Sequence, residues 1–218
     1  MPLRHYKELF KEFKKSRLLK LQVAVLFLTT YIDWVIMPYI TKLEGTYLPV
    51  FMISFYMLLG AADGLVQPLF KKVKIYHIYL FVIILDIIQI SSYILAEASI
   101  ILFTYVILTI FTLQAITFEI SRIHTIDFMK EEIEIKDYLM LRSFVVSSAI
   151  ICGALTAMIL DYMNVKLSYM LYGMAFLGIF AVLIEYRLYV KFKDTLQDTD
   201  TIIERQKILL NEKITISK

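Results

Sequence analysis

The chain has 218 residues, of which 59% are hydrophobic and 20% charged, with a formal net charge of +3. Soluble domains are about 45–50% apolar, so this composition, with a mean hydropathy of +0.69, excludes an ordinary soluble domain and predicts an all-α integral membrane protein with its charges segregated into loops and tails. The single cysteine, Cys152, excludes an intrachain disulfide framework and a cysteine-rich zinc site, and the basic balance needs no nucleic acid, because basic loops flanking membrane spans produce it.

Residues 1–20 place Leu3, Tyr6, Phe10 and Phe13 near one helical face among lysines, the pattern of a basic amphipathic segment lying on an anionic membrane surface. A hydrocarbon core about 30 Å thick takes about 20 mostly apolar helical residues. Six stretches are long enough: 21–41, 48–70, 75–96, 99–119, 144–162 and 167–187. The first follows a long basic leader and precedes no small-residue cleavage site, so it reads as a span and not a signal peptide. Together residues 21–193 form one six-helix transmembrane bundle. Residues 194–218 are a polar tail with apolar residues at Ile202, Ile203, Leu209 and Leu210, either a short amphipathic helix or a frayed end.

Of the 23 lysines and arginines, all but Lys42 and Lys166 fall in the amino-terminal segment, the second and fourth loops and the tail. Basic residues collect in cytoplasmic loops, so both termini are expected in the cytoplasm of a multi-pass protein of the cell (inner or plasma) membrane. Lys71 and Lys72 then mark the cytoplasmic end of the second span.

Acids within the spans require an explanation, since a charged side chain at the bilayer centre costs about 2.5–3.5 kcal/mol on insertion scales. Asp33, Asp63 and Asp86 lie in the first three spans, Gln89 follows Asp86 by one turn, and Gln114 and Glu119 sit toward the inner end of the fourth. Asp33, Asp63, Asp86 and Gln89 are candidates for a substrate or ion site. They either line a polar cavity or hydrogen-bond between helices as packing glue. Gly60 and Gly64, four apart in GAADG, offer a face for close helix approach. Arg122 and Arg142, at the inner ends of spans four and five, are candidate partners for Asp63. No catalytic site and no metal or cofactor site is expected: His5, His77 and His124 form no paired-ligand motif, Glu131 and Glu132 fall in a charged loop, and no phosphate-binding or nucleophile motif occurs.

The order of features over residues 14–193 resembles the amino-terminal half of a major facilitator superfamily transporter, nearest the macrolide-efflux type. An acid followed by a proline (Asp33, Pro38), a small-residue second span running into a basic loop, and the stretch IDFMKEEIEIKDYLMLRSFVVSSAIICGALTAMIL carry the resemblance. It implies six spans per half, cytoplasmic termini, and a substrate cavity between two halves, with Lys71 and Lys72 in the conformational gate. The chain departs from the family in QPLFKKVKIY, where Gln67, Lys71 and Lys74 replace a glycine, an aspartate and a glycine, and in FTLQA, where Phe111 stands for an arginine and Ala115 for a glycine. Only Gly153 remains of the glycine-rich fifth-span motif.

Two functions are therefore expected to compete. The chain is a half-size transporter subunit that moves a small solute after pairing with itself or another membrane protein, or it is a non-transporting protein that binds another protein, such as an accessory subunit or an immunity or resistance factor. The lipid bilayer is a partner in both; nucleic acid is a partner in neither.

Overall fold

The computed structural model describes residues 13, 16–44, 73–99, 102–114, 117 and 134–216, and among them every regular element is helical. In chain order these are α1 (Arg17–Glu44), α2 (Ile75–Ser92), the single turn α3 (Leu95–Ala98), α4 (Leu102–Gln114), α5 (Ile135–Tyr162) and α6 (Leu167–Ile216). Four stretches are long and apolar enough to cross a membrane: Arg17–Ile40, Ile75–Ala98, Lys136–Tyr162 and Leu167–Asp194. α4 is apolar but shorter, and the span expected at 48–70 lies outside the described residues.

Local chemistry accounts for the helix ends. Ser16 caps α1, its Oγ accepting the Leu19 N–H at 3.1 Å, which satisfies one of the free donors of a helix start. α2 loosens at Ser91 and Ser92, whose hydroxyls donate to the carbonyls of Ile87 and Gln89 at 2.8 and 2.7 Å. Such back-bonding weakens the helical ladder, and the chain passes through Tyr93 and Ile94 into α3. α5 ends in a left-handed Asn164 (φ 52°), with the Val165 N–H donating to the Leu160 carbonyl and the Asn164 N–H to that of Asp161, both at 3.0 Å. This is the asparagine form of a helix-terminating turn and makes α5 and α6 a hairpin.

Two boundaries differ from the sequence reading. Residues 135–143, expected as loop, are the first turns of α5: Asp137 suits the positive end of the helix dipole, and Asp137 and Tyr138 are buried. α6 runs through the expected tail to Ile216 as one 50-residue helix, about 75 Å at 1.5 Å per residue, well beyond a bilayer's width.

The helices are apolar on their exposed faces as well as in the core. On α2 the buried face holds Asp86, Gln89 and Ser92 among Ile75, Ile78, Ile83 and Leu85, while Leu80, Phe81, Ile84, Ile87 and Ile88 are exposed. On α5 and α6 the exposed residues include Phe144, Ile151, Leu155, Met158, Phe176 and Leu183. An apolar exterior around a core that also admits polar groups fits lipid contact and not water. Tyrosines stand exposed at both ends of the α5–α6 pair, Tyr162 and Tyr169 at one and Tyr186 toward the other, where amphipathic rings suit a membrane interface.

α1 packs against α5 and α6, and α2 against α6. Two apolar clusters hold the ends. One gathers Ile36 and Ile40 of α1, Tyr93, Phe103 and Ile107 near the α2–α4 connection, and Met170, Leu171 and Met174 of α6. The other gathers Leu18 and Leu19, Ile75 and Tyr79, Tyr138, and Leu188 and Phe192. α1, α2 and α5 therefore start at the same end, and α6 runs back toward it. Glycines set two crossings: a Cβ on Gly153 of α5 would lie 2.9 Å from both Trp34 Cβ and the Tyr31 carbonyl oxygen of α1, and one on Gly178 of α6 would lie 2.9 Å from Ile90 of α2. Beside the first crossing, the Tyr31 hydroxyl donates to Thr156 Oγ1 at 3.0 Å.

Candidate functional site

Between the two apolar clusters lies a polar layer contributed by four helices. Asp86, Gln89 and Tyr93 recur on one face of α2 at three- and four-residue spacing, the spacing of helical neighbours, and all three are buried. Gln89 is the hub. Its Nε2 donates to Asp33 Oδ1 of α1 at 3.3 Å and to the Tyr93 hydroxyl at 3.0 Å. Its Oε1 accepts from Gln114 Nε2 of α4 at 2.6 Å, and the same nitrogen donates to Asp86 Oδ1 at 2.6 Å. Two amides thus join three helices and anchor two carboxyl groups.

α6 adds a third carboxyl. Glu185 is 0% exposed and lies about one turn beyond Ala181 on the face of α6 that lines the same cavity as Asp86, where the two carboxyl groups act on each other. Both of its oxygens lack a donor among the described residues. Two ionised carboxyl groups offer only acceptors to each other, so this contact makes a hydrogen bond only if it carries a proton. Among the described residues, no basic side chain acts on Asp33, Asp86 or Glu185.

Thr29, Asp33, Asp86, Gln89, Tyr93 and Gly178 line a cavity of about 10 Å³. A buried water needs about 10–15 Å³ by this measure, whereas a drug-sized ligand needs about 300–1,000 Å³. The layer therefore has room for about one water, and the cavity is far too small for an organic solute. Among the described residues no group of three His, Cys, Asp or Glu side chains is gathered closely enough to hold a metal ion.

Of the residues singled out in the sequence, Asp33, Asp86 and Gln89 come together here. Arg142 does not: it lies in the first half of α5, partly buried and engaged in contacts of its own. Gly60, Asp63, Gly64, Lys71, Lys72 and Arg122 lie outside the described residues. Glu185 was missed. In AVLIEYRLYV it lies two residues before Arg187, where the expected span ends. The span continues to Asp194, which leaves Glu185 more than two turns inside it. An acid with apolar residues on both sides of its helical turn was the available signal. Gln114 was visible as a polar residue in a span, but nothing in the sequence showed that it reaches Asp86. Comparison of the chain with protein-family models, with characterised proteins and with solved structures finds no match.

Proposed function

We propose that the chain is a half-size membrane transporter subunit, in the manner of one half of a major facilitator, which moves a small solute after pairing with a second copy or another membrane protein. The observation that carries this reading is the polar layer of half-buried Asp33 and buried Asp86, held by Gln89 and Gln114 and open to a small cavity, with the buried, unpartnered Glu185 beside Asp86. Membrane helices rarely keep acids at such depth unless they serve an ion or solute pathway. Packing alone accounts for Gln89 bridging Asp33 and Gln114, but it gives Glu185 no role. Because the cavity holds about one water, a solute path would lie between two such subunits and not within one.

A six-span fold with both termini in the cytoplasm belongs to this proposal. α1 ends and α2 begins at opposite ends of the bundle, so the chain joining them starts on one side and finishes on the other, as a span at 48–70 requires. Arg17, Lys20, Lys74, Lys136, Lys191 and Lys193 flank one end, and Lys166 lies in the α5–α6 turn at the other.

The second reading, a membrane protein that binds another protein without transport, gains from the length of α6, which carries about 33 Å of helix past Asp194 to Ile216. Oligomeric state tests the transporter reading. The full chain, in native membranes and in nanodiscs, is expected to cross-link as a dimer or to retain one stoichiometric membrane-protein partner. A lone monomer overturns the transporter reading.

A further inference from the structure

Among the carboxyl groups of the polar layer, the unmatched element is the contact between Asp86 and Glu185. Glu185 is fully buried on α6, its two oxygens meet no donor among the described residues, and its carboxyl and that of Asp86 act on each other. Asp86 is anchored from the other side by Gln114 Nε2 at 2.6 Å. The remaining titratable groups that act on the pair are Asp33 of α1 and Tyr93 of α2; α5, which packs on α1, contributes none, and no Lys, Arg or His acts on it among the described residues. A buried carboxyl without a donor is unfavourable, and two ionised carboxyl groups side by side repel, the situation in which acid pairs share one proton. A single proton resolves both problems, since it turns one acceptor into a donor toward the other.

We propose that Asp86 and Glu185 form one proton-binding site, with a single exchangeable proton held between their carboxyl groups and reached through the small cavity that Asp33 also lines. The cavity supplies the exchange route: it has room for about one water and polar neighbours to hold one in Thr29, Asp33, Asp86 and Tyr93. Gln89 and Gln114 do not relay the proton. Their amides hold Asp33 and Asp86 in position, so that opening or closing of the layer changes the proton's surroundings. A metal ion is the poorer occupant, because the described carboxyl groups do not converge as three ligands. As a coupling device for transport the site rests on the function proposed above; its proton does not.

Infrared spectroscopy of the full chain in nanodiscs tests it. Wild type is expected to show a protonated-carboxyl band at neutral pH that shifts in heavy water and fades as the pH rises. In Glu185→Gln and in Asp86→Asn the pH at which the band fades should move, and in the double variant the band should be lost. Asp161→Asn, on the exposed end of α5, should leave it unchanged. Absence of an exchangeable band in wild type overturns the proposal whether or not any variant folds. A band altered by only one of the two substitutions also overturns it, since the proton then belongs to a lone acid. The expected spectra from a protein that remains a lone monomer would uphold the proton site and remove the transporter reading.

Discussion

At the end of the bundle where Leu18, Leu19, Tyr79, Leu188 and Phe192 meet, α1, α2 and α6 are held mainly by apolar packing, with one buried hydrogen bond from Gln22 Nε2 to the Tyr79 hydroxyl at 3.4 Å. Further along the same helices, by about one turn on α6, about two to three on α2 and about four on α1, Asp33, Gln89, Asp86 and Glu185 meet instead. The two regions share a backbone framework and differ in how they tolerate change. Apolar packing is redundant: each side chain touches many others, and the loss of one is spread across its neighbours. In the polar layer each donor is matched to particular acceptors, so one substitution leaves identifiable groups without partners. The layer is fully matched around Gln89 and unmatched at Glu185 and at Gln114 Oε1. Its first part behaves as structure. Its second part has no structural use unless a proton or a changing conformation supplies the missing partner.

The comparison can be broken most severely at the apolar end. Phe192→Ala removes a ring with no solvent exposure that stacks on Tyr79 at a 5.0 Å centroid separation, and should lower unfolding stability by about 3–5 kcal/mol, read as a thermal melt in nanodiscs. A wild-type melting temperature would mean that this end is not tightly packed. Next is Gln89→Leu, which strands Asp33 Oδ1 and one donor direction of Gln114. At about 1–3 kcal/mol per unmatched group, a loss of roughly 2–4 kcal/mol is expected, together with a change in the carboxyl infrared band that Phe192→Ala does not cause. An unchanged melt for Gln89→Leu would mean that water already serves the layer.

A smaller effect sharpens the distinction between close helix contact and either region. Gly153→Ala forces a Cβ to 2.9 Å from Trp34 Cβ and the Tyr31 carbonyl, overpacking that typically costs about 1–3 kcal/mol. Gly173→Ala, with nothing within 4 Å of its added carbon, should be within about 0.5 kcal/mol of wild type. Equal melts for the two would show that α1 and α5 separate freely at this crossing. The smallest expected loss, apart from the Gly173→Ala control, is that of Ser16→Ala. Loss of the cap on Leu19 N–H should cost about 1 kcal/mol and should appear as faster amide exchange over the first turn of α1, with the polar layer unaffected.

What the sequence determined by itself was local: which stretches are apolar enough to span, where the basic loops fall, and that acids at Asp33 and Asp86 need a reason to be there. Those properties depend on residue type and spacing along a single segment. The tertiary structure decided what those segments share. Helix rotation and crossing, set by Gly153 and Gly178 and by the clusters at each end, turn Gln114 toward Asp86 and Gln89. They leave Arg142 on α5 apart from the acids, and they bring Glu185 against Asp86. No local pattern encodes that last contact. It depends on α6 continuing past Arg187 with an inward face, so that an acid near the expected end of one span becomes the unmatched centre of the bundle.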